Sequence, residues 1–215
     1  MIFITGPLEP KVGLGLAVRY FKKGIRALGV AECFRKGASK RSILAGVVMR
    51  ADMLVDGFSF ATATVGGLDA TDAILRLYKR LGREDVNVLM LNGCVISWYN
   101  VVDLHAVAEG TGKPLICVTY EPSPGLEKYF AEYFPSDWRE RLAIYERNGP
   151  RKRVLLRTGH EVFIRAIGLS EDEALRVLNR FVMHGAIPEP LRLARLLARA
   201  ALASVGELSQ ARLGP

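Results

Sequence analysis

Cysteine is scarce: Cys33, Cys94 and Cys117 are the 3 in a chain of 215 residues. An odd number with no Cys-x-x-Cys spacing argues against a disulfide framework or a zinc knuckle, so free buried thiols are the default. Long apolar runs are missing as well. The densest stretches, Leu191 to Val205 and Val12 to Val18, are broken by arginine or fall short of the roughly 18 residues that cross a bilayer. Met1 to Gly15 lacks a basic start, an apolar core and a small-residue cleavage site, so no secretion signal, no membrane partner and a cytoplasmic location are expected. There is no internal repeat and no low-complexity tract. Gly66-Gly67 lacks the lysine and spacing of a Walker loop, which leaves only generic anion binding there.

What the chain has is apolar residues, at 50%, and positive charge, with a formal net charge of +8 and a pI near 9.6. Half hydrophobic at this length, it can bury a full core, and one domain is the simplest count. The basic balance favours a polyanionic partner such as nucleic acid, with DNA and RNA left open. Most of the basic residues are arginine, which suits phosphate forks and aromatic stacking.

The stretch from Asn87 to Asp103 organises the rest. Val88 to Leu91 is a short apolar run with a β-branched lead, bounded by Asn87 and Asn92-Gly93, and reads as a strand buried on both faces. Open sheets flanked by helices place ligand sites just past the carboxyl ends of such strands, which singles out Asn92, Cys94, Ser97, Asn100 and Asp103. Before it, Ile25 to Ala31, Ser42 to Arg50 and Phe58 to Val65 read as an antiparallel meander with a turn near Asp56-Gly57. Asp69-Ala-Thr-Asp72 opens a helix that ends at Gly82. After it come a short helix from Val101 to Glu109, a strand from Leu115 to Thr119, and helices over Pro122 to Phe134 and Asp137 to Asn148. An edge hairpin follows, made of Val154 to Leu156 and Val162 to Ile167. Ser170-Glu-Asp-Glu173 is a capping box, and a last helix starts at Pro188-Glu-Pro190 and runs to about Val205. The organisation expected is an extension over 1–24, one domain over 25–205 and a tail over 206–215. The order of strands and helices predicts a ribonuclease-H-like α/β fold, a mixed five-stranded sheet flanked by helices.

Several segments together resemble an archaeal uncharacterised family, domain of unknown function ninety-nine, which is related to endonuclease V. They are Arg26-Ala-Leu-Gly-Val30, Val65-Gly-Gly-Leu-Asp-Ala-Thr71, Leu91-Asn-Gly93, Asn100-Val-Val-Asp103, Lys113-Pro-Leu-Ile116 and Ile187-Pro-Glu-Pro-Leu-Arg192. The resemblance implies an endonuclease-V-like fold and, in active relatives, Mg²⁺ held by carboxylates at the ends of the first and fourth strands. Such ions must neutralise charge on both the attacking and the leaving oxygen. Where that family shows Gly-Ile-Asp-Asp-Gly and Leu-Asp-Gly, this chain reads Gly29-Val-Ala-Glu-Cys33 and Leu91-Asn-Gly93. Ala31 and Asn92 therefore replace both aspartates. The carboxylates left near the site are Asp69, in the region of a third acidic position, and Glu32, which strand alternation turns away from the face of residue 31.

Each remaining candidate has a functional and a structural reading. Asp69 and Asp72 are ligands or helix-start charges; Asn100 and Asp103 line the crevice or cap the helix near Val101; Glu189 is a pocket acid or a helix-start charge. Trp98 and Tyr99 stack on bases or pack under the loop. Arg35, Lys36, Lys40 and Arg41, just beyond the vacant position 31, and Arg192, on one helical face with Arg195 and Arg199, contact phosphates or form solvated faces. Arg151-Lys-Arg153 is equally two-sided. Cys33 and Cys94 stand two residues past the lost aspartates and are expected near each other in the old metal crevice. The leading expectation is a nucleic-acid-binding relative of endonuclease V with a degenerate metal site and no cofactor. A residual Mg²⁺-dependent nuclease using Asp69, Glu32, Asn92 and Asp103, and a small-ligand or protein-interaction module, are the alternatives.

Overall fold

The structure, a computed structural model, describes residues 24 to 211, with side chains described as far as residue 204. The expected extension over 1–24 thus lies, but for Gly24, outside the described residues. Strands β1 (Arg26–Cys33), β2 (Arg41–Arg50) and β3 (Val55–Thr64) form the expected antiparallel meander. The turn between β2 and β3 is not at Asp56-Gly57. The chain reverses over 51–54, where Met53 takes a φ of 67°. Charge draws Asp56 into the strand: its carboxylate accepts from Arg26 Nε at 2.5 Å and from Arg83 Nη2 at 2.9 Å. Those two guanidinium groups, Arg83 first, lower its pKa to about 2.

Helix α1 (Ala70–Leu81) stops at Gly82, whose left-handed φ of 63° turns its N–H onto the Lys79 carbonyl. Strand β4 (Val88–Asn92) then runs parallel to β1 and leads into a two-rung hairpin, β5 (Val95–Ile96) with β6 (Asn100–Val101). This hairpin takes the place of the helix expected from Val101. Helix α2 (Leu104–Thr111) starts later because Asp103 caps it, accepting from the His105 and Ala106 amides at 3.1 Å each. Strand β7 (Leu115–Thr119) returns parallel to β4.

Helix α3 (Glu127–Tyr133) begins several residues past the expected start at Pro122, since prolines at 122 and 124 and Gly125 with φ 115° hold the chain open. Helix α4 (Trp138–Arg147) leads to the hairpin β8 (Lys152–Leu155) and β9 (Glu161–Ile167). Helix α5 (Glu171–Phe181) has the full capping box of Ser170 and Glu173. Helix α6 (Glu189–Ala211) continues past the expected end near Val205 and into the expected tail.

Among the described residues the sheet has seven strands rather than five, in the order β3-β2-β1-β4-β7-β9-β8. Its first five follow the ribonuclease-H-like order, and the β8–β9 hairpin extends it because β9 pairs antiparallel with β7 from Leu115↔Ile167 to Thr119↔Phe163. One face packs α1 and α2 through Leu28, Leu44, Ile74, Leu77, Leu89 and Leu104. The other packs α5 and α6 through Ala27, Met90, Ile116, Val177, Phe181 and Leu191. Close approach of α6 to β1 needs Gly29, where any Cβ would collide with Pro190. Among the described residues no helix is long and apolar enough to cross a membrane.

Candidate functional site

The register of β1 on β4 pairs Val30 with Leu91, so Ala31 and Asn92 follow side by side at the carboxyl ends of two parallel strands. Val30 and Leu91 belong to the core on the α1 side, and two-residue alternation sends the next pair to the α6 side. Ala31 accordingly packs with Val47 of β2 and Ala194 of α6. Glu32, back on the α1 side, lines a void of about 10 Å³ with Leu44, Ile74 and Leu91, and the end of β4 at Asn92 borders it. A space of that size is at the lower limit for one water. Glu32 Oε1 accepts from the Ser97 amide at 3.4 Å, while Glu32 Oε2 and Asn92 Oδ1 are buried without a partner. Burial raises the Glu32 pKa, and the Ser97 hydrogen bond only partly opposes it.

These groups do not suit a divalent ion. A carboxyl that burial drives toward its neutral form and a neutral amide lack the charge needed to draw magnesium out of its water shell. Asp69 does not add to them. Its carboxylate accepts from the Thr64 amide at 2.8 Å, the Thr64 hydroxyl at 3.0 Å and Asn100 Nδ2 at 2.8 Å, and pairs with Arg41 at 3.5 Å. Its oxygens thus clamp the β3–α1 junction. Among the described residues no group of three or more His, Cys, Asp or Glu side chains is placed to hold a metal ion.

Beside Asn92 the ends of β4 and β7 open into a cleft of about 740 Å³, which takes in Tyr120, Glu121, Arg151, Arg165 and Arg195. Three arginines face one carboxylate. Arg165 arrives through the β7–β9 register, which sets it against Cys117, and Cys117 in turn against Leu91 of β4. It is 6% exposed. Its guanidinium donates from Nε to the Gly149 carbonyl at 2.7 Å and from Nη1 to Cys94 Sγ at 3.3 Å, and it lies over the Tyr145 ring at 4.9 Å. Among the described residues no carboxylate pairs with it. The Cys94 pKa is lowered, first by a hydrogen bond from the Cys117 thiol and then by Arg165, whereas the Cys117 pKa is raised by that same bond and by burial. The hydroxyl of Tyr120, also in the cleft, is buried without a partner, and burial raises its pKa. Arg151 is anchored to the Glu121 carbonyl at 3.0 Å and the Ser123 carbonyl at 3.1 Å.

The structure redistributes the other candidates. Cys94 partners Cys117, not Cys33; Cys33 lies one strand over on β1, within the field of Arg35 and Arg199. Asn100 does not cap α2. It is fully buried in β6 and locks α1, accepting from the Ala70 amide at 3.0 Å and donating to the Thr64 carbonyl at 3.0 Å. Asp103, the real cap, also binds Arg147. Glu189 is 3% exposed, with Oε2 on Arg192 at 2.5 Å and Oε1 unpartnered, so Arg192 is held at the helix start rather than offered to a ligand. Arg41 is tied to Thr62 and Thr64 of β3. Arg35, Lys36 and Lys40 are exposed on the β1–β2 loop, and Lys36 Nζ lies 4.1 Å over the Trp98 ring. Trp98 and Tyr99 form the tip of the β5–β6 hairpin.

Arg165, Tyr120 and Arg141 were not singled out by sequence. For Arg165 a signal existed: an arginine in the middle of the apolar run Val162–Ile167. Arg141 is 1% exposed and joins α4 to the loop before α1 and to the hairpin tip, reaching Asp137 at 2.8 Å and the carbonyls of Gly66, Gly67 and Tyr99 at 2.8 to 2.9 Å.

Comparison with known proteins places this geometry. A UPF0215 protein of Pyrobaculum calidifontis is 36% identical over 171 residues, covering 80% of this chain and 93% of its own. A crystal structure of a protein of unknown function from Archaeoglobus fulgidus superposes with a TM-score of 0.72 at 27% identity, over 83% of this chain and 98% of that one. Endonuclease V of Ciona intestinalis, as a D234N variant in complex with a 23mer DNA containing an inosine followed by a ribo-adenosine, superposes with a TM-score of 0.58 at 14% identity, over 86% of this chain and 88% of that one. At that identity the likeness is one of fold, the ribonuclease-H-like sheet described above. The Endonuclease dU family model matches residues 23–202, from the approach to β1 into α6, and with the UPF0215 identity this makes the chain a member of the Endonuclease dU family with an endonuclease-V-like fold.

Proposed function

We propose that the chain is a nucleic-acid-binding relative of endonuclease V whose metal-binding positions are degenerate. One observation carries this reading: where the sheet sets Ala31 beside Asn92 in place of two aspartates, the adjoining cleft is lined by Arg151, Arg165 and Arg195 against the single carboxylate of Glu121. A site that concentrates cations through carboxylates must be negative when empty. This one is positive, and a phosphate is drawn to it without a bridging ion. The buried Arg165 guanidinium strengthens the point, because a buried charge lacking a carboxylate is costly unless an anion completes it. The unpartnered Tyr120 hydroxyl offers a further donor at the same place.

The test is a paired assay of binding and cleavage on labelled oligonucleotides containing uracil, inosine or neither, in chelator and in Mg²⁺. The expected result is binding that persists in chelator, without strand cleavage. The affinity should fall with salt at a log–log slope of roughly −2, as three arginine–phosphate contacts would give. Binding that requires Mg²⁺, or metal-dependent cleavage abolished by Glu32→Gln, would overturn the reading in favour of a residual nuclease.

A further inference from the structure

The β5–β6 hairpin has a tip of unusual conformation. Ser97, Trp98 and Tyr99 take φ values of 48°, 61° and 60°. Successive left-handed residues other than glycine are strained, and such backbone persists only where its surroundings over-determine it. Here they do. The Ser97 hydroxyl sits 2.5 Å from that of Ser42 in a buried contact, the Ser97 carbonyl accepts from the Gly66 amide at 2.8 Å, and the Tyr99 carbonyl accepts from Arg141 at 2.8 Å. The conformation sets two large rings against helix α3. Tyr99 stacks on Tyr133 of α3 at 5.6 Å and 25°, Trp98 lies 5.6 Å from Tyr133, and Tyr133 is 46% exposed. Burial does not account for this. Phe130 in the same cluster is fully buried and serves as core, whereas Tyr133 is exposed and Trp98 and Tyr99 are half-buried, Tyr99 also stacking on Tyr129 at 6.3 Å and 27°.

We infer that Trp98 and Tyr133, backed by Tyr99, form a stacking shelf for unpaired bases, so that the ligand of the neighbouring cleft is single-stranded nucleic acid. The inference rests on the nucleic-acid reading of the cleft and gives it a strand state. Shelf and cleft are neighbours: Val95, at the root of the hairpin, lines the cleft, and Tyr145 of the cleft and Tyr99 both pack on the buried Phe130. Bases paired in a duplex hide their faces; those of a single strand are free to lie on rings. Lys36 covers the Trp98 ring, and an ammonium over an exposed ring is held less strongly than a stacked base, so the base takes its place and Lys36 turns to the adjoining phosphate.

Trp98 and Trp138 are the 2 tryptophans of the chain, so Trp138→Phe isolates the emission of Trp98. Titrated with a single-stranded oligonucleotide, this variant should show quenched and shifted emission. The duplex of the same sequence should bind about tenfold more weakly with little quenching, and Tyr133→Ala should lower single-strand affinity about tenfold while leaving duplex affinity unchanged. Equal affinity for both forms, or single-strand binding that leaves Trp98 emission unchanged and survives Tyr133→Ala, would overturn the shelf. The cleft reading fails separately, when Arg165→Met and Arg195→Met leave all binding intact. A chain that binds no oligonucleotide in either form overturns both.

Discussion

Arg141 and Arg165 are both buried, and they live in opposite surroundings. Arg141 is saturated: a carboxylate grips two of its nitrogens, backbone carbonyls take the rest, and the Phe134 ring lies 3.8 Å beneath it. Arg165 has one carbonyl, one sulfur and a ring, its remaining donors have no partner among the described residues, and it lines the cleft. A fully partnered buried cation is architecture, since all of its bonding capacity is spent inside the fold. A buried cation short of an anion at the mouth of a cleft is a binding group. Burial alone does not tell them apart; the count of unused donors does.

This contrast can be broken at four points, taken from the largest expected effect to the smallest. Arg141→Met strands Asp137 and three loop carbonyls, and urea unfolding should show a loss on the order of 3–5 kcal/mol. Arg165→Met should do the reverse: stability within about 1 kcal/mol of the parent, because no carboxylate is orphaned, but oligonucleotide affinity down about tenfold and a salt slope shallower by about 0.7. If Arg165→Met unfolds the protein as Arg141→Met does, the distinction collapses. Asn92→Asp places a carboxylate beside the arginine cleft and should weaken binding in chelator by roughly fivefold, measured by anisotropy, through repulsion of phosphate. An unchanged or tighter complex in chelator would show that Asn92 does not face the ligand.

Glu32→Gln is the mildest. Burial raises the Glu32 pKa in the folded state above its unfolded value. Below the ordinary carboxylate range both states are protonated and the parent carries no penalty. As pH rises beyond it the unfolded chain ionises first, so the parent loses stability on the way up through the folded-state pKa. The variant should therefore be more stable than the parent near neutral pH, by on the order of 1 kcal/mol, and equal to it at pH 3; denaturant melts at the two pH values check this.

Much of the scaffold was legible because it is local. Ser170 and Glu173 sit at capping-box spacing, Gly82 follows the last apolar position of α1, and Val88 to Leu91 carries its burial in its composition. That Ala31 and Asn92 carry no charge could also be read directly. Errors fell where a partner distant in sequence decides. Asp56 looks like a turn residue until Arg26 and Arg83 draw it into β3, and Asn100 looks like the cap of α2 until Thr64 and Ala70 claim its amide. The left-handed tip at Ser97 to Tyr99 has none of the glycine or asparagine that marks such turns, because Ser42, Gly66 and Arg141 impose it from outside.

The sequence by itself determined which short segments became strand or helix, that the chain is basic, and that positions 31 and 92 carry no charge. Those properties depend on side-chain type and on neighbours a few residues away. The tertiary structure alone decided which arginines share a cleft. Arg151, Arg165 and Arg195 come from a loop, a strand and a helix, and only the β4–β7–β9 register and the seating of α6 on the sheet bring them beside Asn92. Contacts between residues so far apart are set by packing, which no local pattern encodes.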